Sequence, residues 1–90
     1  MKKQYYSEST NDRLRKEATR VRLLISELDR RVRILESDIA REESLAGVSN
    51  PVSAAYPILA RMMLARRDNL KQTIAALELR LPTEPVVLAG

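Results

Sequence analysis

Side chains capable of acid–base or metal chemistry are scarce in this 90-residue sequence. It contains no histidine and no cysteine, which removes the usual general base, proton shuttle and zinc ligands. Paired carboxylates such as Asp38 and Glu42 do occur, but acid–base catalysis would require a pocket that shifts a pKa. A solvated helix face is the better interpretation. We therefore expect that the chain is not an enzyme and has no catalytic, cofactor-binding or metal site.

Basic side chains are the other chemically distinctive group. A candidate basic stripe, on one face of a helix, is formed by Arg13, Lys16 and Arg20. Such a stripe could bind phosphate or an acidic protein surface. Because it precedes a stretch of heptads, it also resembles the basic region of a zipper-type DNA-binding protein. Glu17 interrupts it, so a solvated face is favoured and nucleic acid is an unlikely partner.

A second basic stretch includes Arg66 and Arg67. Arg67 falls on the predicted seam of its helix, where we expect it to reach Glu36 on the facing helix and fix the register. The alternative is that it presents its charge to an acidic partner. Both arginines are candidate protein-binding residues.

The element that carries the first basic stripe is a long predicted helix. No Gly or Pro occurs before Gly47, and Ser9 with Asp12 resembles a capping box, so the helix is predicted from about residue 10 to 46. Apolar residues recur at alternating spacings of four and three, which is typical of a coiled coil. This seam is formed by Leu14, Ala18, Val21, Ile25, Leu28, Val32, Leu35 and Ile39.

A predicted turn over residues 47–53 follows. Gly47 suits a helix C-cap, and Pro51 and Pro57 prevent a straight continuation. A second helix is predicted over about 54–81. Its seam is formed by Tyr56, Ala60, Met63, Arg67, Leu70, Ile74, Leu77 and Leu81.

Two such helices predict an all-α fold, an antiparallel two-helix coiled-coil hairpin that forms one unit over residues 1–81. The first helix should overhang the second by about three turns. Residues 82–90 are predicted to be an extended or disordered tail. Hairpins with this seam can also pair into a four-helix bundle, so a homo-oligomer is expected.

Apolar residues off the seam are Leu23, Ile34, Ile58, Met62 and Leu79. All of these except Ile34 are the remaining candidate protein-binding positions. Leu23 and Leu79 are expected opposite each other near the open end of the hairpin, and Ile58 and Met62 near the turn. Either pair could be covered by a partner or by a second copy. Ordinary exposure explains them equally well.

Charge and hydropathy limit the location of the protein. The formal charge of +4 is spread over both halves of the chain. No targeting segment is visible, and the longest uncharged run, residues 44–60, contains prolines and cannot span a bilayer as a helix. We therefore expect a protein without a transmembrane segment, located in the cytoplasm, where missing cysteines fit the reducing conditions.

The turn and second helix resemble a known family. The segments EESLAGVSNP (42–51), AYP (55–57) and ARRDNL (65–70) are similar to the alphaproteobacterial branch of the FliJ-like flagellar export proteins, and the resemblance covers about residues 33–81. It implies an antiparallel two-helix coiled coil that is not an enzyme and that contacts the export ATPase ring, the export gate and export chaperones. FliJ-like chains have a longer second helix than the one that Pro82 ends here.

The expected function is therefore that of a non-enzymatic coiled-coil adaptor that binds helical protein partners, and the resemblance implies a place in flagellar or type III export. Two alternatives stay open. One is a basic dimeric coiled coil that binds nucleic acid, and the other is a self-assembling structural protein.

Overall fold

The computed structural model describes the backbone of residues 2–82 and the side chains of residues 10–82. It contains two helices, α1 (Lys2–Ala46) and α2 (Ile58–Leu79), which pack against each other. The prediction of an all-α helical hairpin is confirmed. The particle is a thin rod, 69 × 28 × 17 Å.

Three side-chain contacts between the chain segments define the antiparallel direction. From the turn outwards they join Tyr56 to Glu43, Lys71 to Glu36 and Arg80 to Glu17. Later residues of the second segment thus meet earlier residues of α1, as a hairpin requires.

The start of α1 differs from the prediction. The helix begins at Lys2 and not near residue 10, so Ser9 lies inside it and the proposed capping box does not start it. The physical reason is that residues 2–9 contain neither Gly nor Pro, and nothing in their propensities stops a helix from continuing.

The second helix is shorter than predicted at both ends. It begins at Ile58, because Pro57 holds an extended backbone (φ −60°, ψ 132°) at the N-cap position. At the other end, the N–H groups of Arg80 and Leu81 bond to carbonyls three residues earlier, a tightened final turn. The predicted tail beyond Pro82 lies outside the described residues.

The core is a single line of side chains between the helices. Among the described residues, every buried apolar side chain belongs to the predicted seams: Ala18, Val21, Val32, Ile39, Tyr56, Ala60 and Leu77. Most other seam residues are only half-buried, because two helices can cover just the stripes that face each other.

The open end of the hairpin lies near Leu14. Leu14, Ala18 and Pro82 line one shallow depression there, and Leu14 remains largely exposed. Residues 2–13 of α1 therefore project beyond α2, a length of about 18 Å at 1.5 Å per residue.

We expect Val32→Asp to unfold the hairpin, because it places an unpaired charge in the middle of the seam, where Val32 is 4% exposed. The expected loss is roughly 3 kcal/mol or more, measured by thermal melting followed with circular dichroism. Leu23→Asp is the matched control, since Leu23 lies on the same helix but is 66% exposed. Equal melting temperatures for the two variants would contradict the seam.

Candidate protein-binding surface

The turn begins with a helix end built on Gly47. Its φ of +71° lies in the left-handed region that glycine adopts without strain. The N–H of Val48 donates to the carbonyl of Glu43 at 3.2 Å, and the N–H of Gly47 is shared between the carbonyls of Glu43 (2.9 Å) and Ser44 (3.3 Å). This pattern is a Schellman motif, which satisfies carbonyls that the helix end would otherwise leave unpaired.

The loop after Gly47 is held by short-range polar contacts. The Asn50 side chain accepts a hydrogen bond from the Val52 N–H at 3.0 Å, as in an Asx turn. Arg61 reaches back from α2 and donates to the Pro51 carbonyl at 3.0 Å. The loop is thereby fixed to the first turns of the second helix.

Tyr56 anchors the turn on α1. Its ring is buried, its hydroxyl donates to the Glu43 carboxylate at 2.7 Å, and the Arg61 guanidinium lies 5.5 Å from the ring centre. Burial of the ring, and then the Glu43 carboxylate, raise the pKa of the Tyr56 phenol above its ordinary value. Tyr56 therefore meets α1 at Glu43, about one turn before Ala46, the exposed last residue of that helix.

One flank of the hairpin forms an open apolar groove, which we call the arginine flank. Its wider part, about 360 Å³, is lined by Arg31, Ile34, Leu35, Arg66 and Leu70. A narrower part nearer the turn is lined by Leu59, Met62, Met63 and again Arg66. Arg66 borders both parts; the wider part lies between the two helices, and the narrower part is lined by α2 alone.

A salt bridge crosses between the helices at Lys71, whose ammonium lies 3.7 Å from the Glu36 carboxylate. This contact corrects the expectation for Arg67. Arg67 pairs with its chain neighbour Asp68 at 2.9 Å, so Lys71, and not Arg67, reaches Glu36. The physical reason is that a side chain on the seam points at the backbone of the opposite helix, whereas a side chain beside the seam points at the edge of the opposite helix.

The off-seam apolar residues separate into two kinds. Met62 and Ile34 line the arginine flank. Leu23 and Leu79 each lie two residues from seam positions on both sides, so they point away from the other helix and are 66% and 87% exposed. They therefore lie on opposite surfaces of the hairpin and do not form one patch. Ile58, at the start of α2, is also exposed.

The candidate basic stripe of Arg13, Lys16 and Arg20 is exposed. None of the three forms an ion pair with another side chain in residues 10–82. Glu17, which interrupts the stripe in the sequence, is engaged by Arg80 at 3.3 Å. The three basic side chains lie where α1 begins to project beyond α2.

Acidic side chains do not gather into a metal-binding cluster in the described part of the chain. Residues 10–82 contain no cluster of three or more acidic side chains suited to a metal ion. Asp38 of the Asp38–Glu42 pair is bonded to Arg41 at 2.9 Å. Within residues 2–82, neither helix combines the length and apolar character needed to cross a membrane.

The lining of the arginine flank was not predicted from the sequence. Leu35, Met63 and Leu70 have the spacing of seam residues, but each is only half-buried and also faces the groove. Arg31 was not singled out. The sequence did contain a signal for this lining. Arg31 and Arg66 occupy the same heptad position on the two helices, immediately before the first seam residue of a heptad.

No protein-family model, curated protein sequence or solved structure matches this chain.

We expect Gly47→Ala to destabilise the hairpin by about 1 kcal/mol, because any L side chain is strained at a positive φ. Apart from its chain neighbours, no atom lies within 4 Å of the added methyl group, so no steric clash adds to the backbone strain. Gly47→Asn should lose less, since asparagine tolerates this conformation. Chemical denaturation measures both. Equal stability of Gly47→Ala and the parent chain would contradict the observed helix end.

The raised pKa of Tyr56 predicts a loss of stability in strong alkali. Because the folded phenol holds its proton more tightly than the unfolded one, its contribution is complete below the unfolded pKa of about 10 and is lost as the pH rises through the folded pKa. Tyr56→Phe removes this contribution. Melting temperatures between pH 7 and pH 11.5 should fall more steeply for the parent chain above pH 10, and parallel curves would contradict the Tyr56–Glu43 contact.

Proposed function

We propose that this chain is a non-enzymatic adaptor that binds helical protein partners through the flank of its hairpin. The observation that carries this proposal is the arginine flank, where apolar side chains border an open groove instead of entering the core. A helix is the natural occupant of a groove between two helices, since it adds a third apolar stripe to the existing two.

The resemblance to FliJ-like proteins supports a place for this adaptor in flagellar or type III export. It rests on the turn, where Gly47 ends α1 and Tyr56 and Pro57 precede α2. Members of that family are adaptors and not enzymes. The second helix here ends at Leu79, so the proposal carries over partner binding and not insertion into an ATPase ring.

The proposal includes a cytoplasmic location and association of hairpins into oligomers. Leu23 and Leu79, on opposite outer surfaces, are two of the exposed apolar positions that self-association would cover. Sedimentation of the purified chain across concentrations tests this part separately from partner binding.

We expect a photo-cross-linking residue at Met62 to capture a protein partner in living cells of the source organism. Met62 is 65% exposed and lines the arginine flank. The same residue at Gln72, which is exposed elsewhere on α2, is the control. Mass spectrometry should identify a helical protein captured from position 62 and absent from position 72. Equal capture at both positions, or none at either, would argue against the adaptor function.

Nucleic-acid binding is the second candidate, and the exposed basic stripe favours it. This function predicts an affinity for duplex DNA that falls steeply as the salt concentration rises, because several counterions are released on binding. We expect instead no measurable binding in a fluorescence titration at 20 mM salt, a condition of about 20 Å screening length. Binding that is lost in Arg13→Ala/Lys16→Ala/Arg20→Ala would replace the adaptor proposal with the nucleic-acid one.

A further inference from the structure

We propose that the arginine flank is a docking groove for an acidic amphipathic helix of another protein. This inference rests on the proposed adaptor function and names the chemistry of the partner. It is carried by the shape of the groove, by the side chains that line it, and by the sign of its charge.

The length of the groove fits a helix of about three turns. Along α2 its lining extends from Leu59 to Leu70, which is about 16 Å at 1.5 Å per residue. Both parts of the groove are open to solvent, so a helix can approach them from the side.

The floor and walls of the groove are apolar. Leu35, Met63 and Leu70 form the floor and are half-buried, while Ile34 and Met62 form walls that are more than half exposed. A docked helix would complete the burial of the floor. Methionine side chains adapt to differently shaped partners, so the groove suits a family of related helices.

The charge of the groove is positive. Arg66 forms no ion pair with another side chain in residues 10–82, and Arg31 has only a 3.7 Å contact with Glu27, in which both side chains are more than half exposed. Such a contact contributes little. The nearby carboxylate of Asp38 is already bonded to Arg41. Two available guanidinium groups therefore face the groove, and acidic side chains on the partner would pair with them.

A second copy of the chain fits this groove poorly. Arg66 lies near the middle of the groove, so a twofold pairing of two arginine flanks would bring the Arg66 side chains of the two copies together. Like charges that meet in an interface are unfavourable. An acidic helix has the opposite sign and meets no such repulsion.

The test measures binding of two synthetic peptides by fluorescence anisotropy. Each is a 21-residue amphipathic helix with leucine on its apolar stripe, and the positions beside the stripe carry glutamate in one peptide and lysine in the other. We expect the acidic peptide to bind the full chain at least about tenfold more tightly than the basic one, equivalent to about 1.4 kcal/mol.

Charge reversal locates the site. The double variant Arg31→Glu/Arg66→Glu should lose its affinity for the acidic peptide and gain affinity for the basic one. Arg20→Glu/Arg30→Glu, which makes the same change in net charge at exposed positions of α1, should keep the preference of the parent chain. Circular dichroism confirms that both variants fold. The inference is overturned if the two peptides bind equally, or if the control variant loses the acidic peptide as completely as Arg31→Glu/Arg66→Glu does.

Two further outcomes overturn the inference in favour of another occupant. One is a dimer of the chain alone that Met62→Asp abolishes, and the other is binding to anionic lipid vesicles that the same substitution abolishes. Failure of the adaptor function itself looks different, because cross-linking in cells would then capture no protein at Met62. Capture at Met62 of a partner that binds Arg31→Glu/Arg66→Glu unchanged would keep the adaptor function and reject the acidic helix.

Discussion

The structure depends on one constraint, which is that two helices can cover only the stripes that face each other. Ala18, Val32 and Ala60 are buried on this single seam, while side chains one position to either side stay partly in water. Small residues on the seam allow close approach of the helices. Everything else about the molecule follows from this narrow core: its thin shape, its reliance on the turn, and its exposed apolar flank.

The turn makes the single seam possible, because it sets the direction and register of the second helix. Gly47 ends α1 in a conformation that few residues adopt, and Pro57 sets the backbone from which α2 starts. Tyr56 connects the two helices, because its ring is buried in the core and its hydroxyl donates a hydrogen bond to the Glu43 carboxylate.

The two flanks of the seam differ in a way that matters for function. On one flank, Lys71 and Glu36 form a salt bridge between the two helices. On the other flank, Arg80 pairs with Glu17 near the open end, but Arg31 and Arg66 lie beside apolar side chains and have little acidic compensation within residues 10–82. The arginine flank therefore combines unburied apolar area with available charge. This asymmetry is the basis of the proposed adaptor function.

The sequence by itself determined the helical fold, the position of the turn and the buried line, because heptad spacing and the Gly and Pro residues act locally. Predicted helix limits were less accurate: α1 extends back to Lys2, and Pro57 delays α2 to Ile58. Only the tertiary structure decided that Lys71 pairs with Glu36 and that half-buried seam residues border a groove. Those outcomes depend on the rotation and axial offset of one helix against the other, which the pattern along either helix alone does not specify.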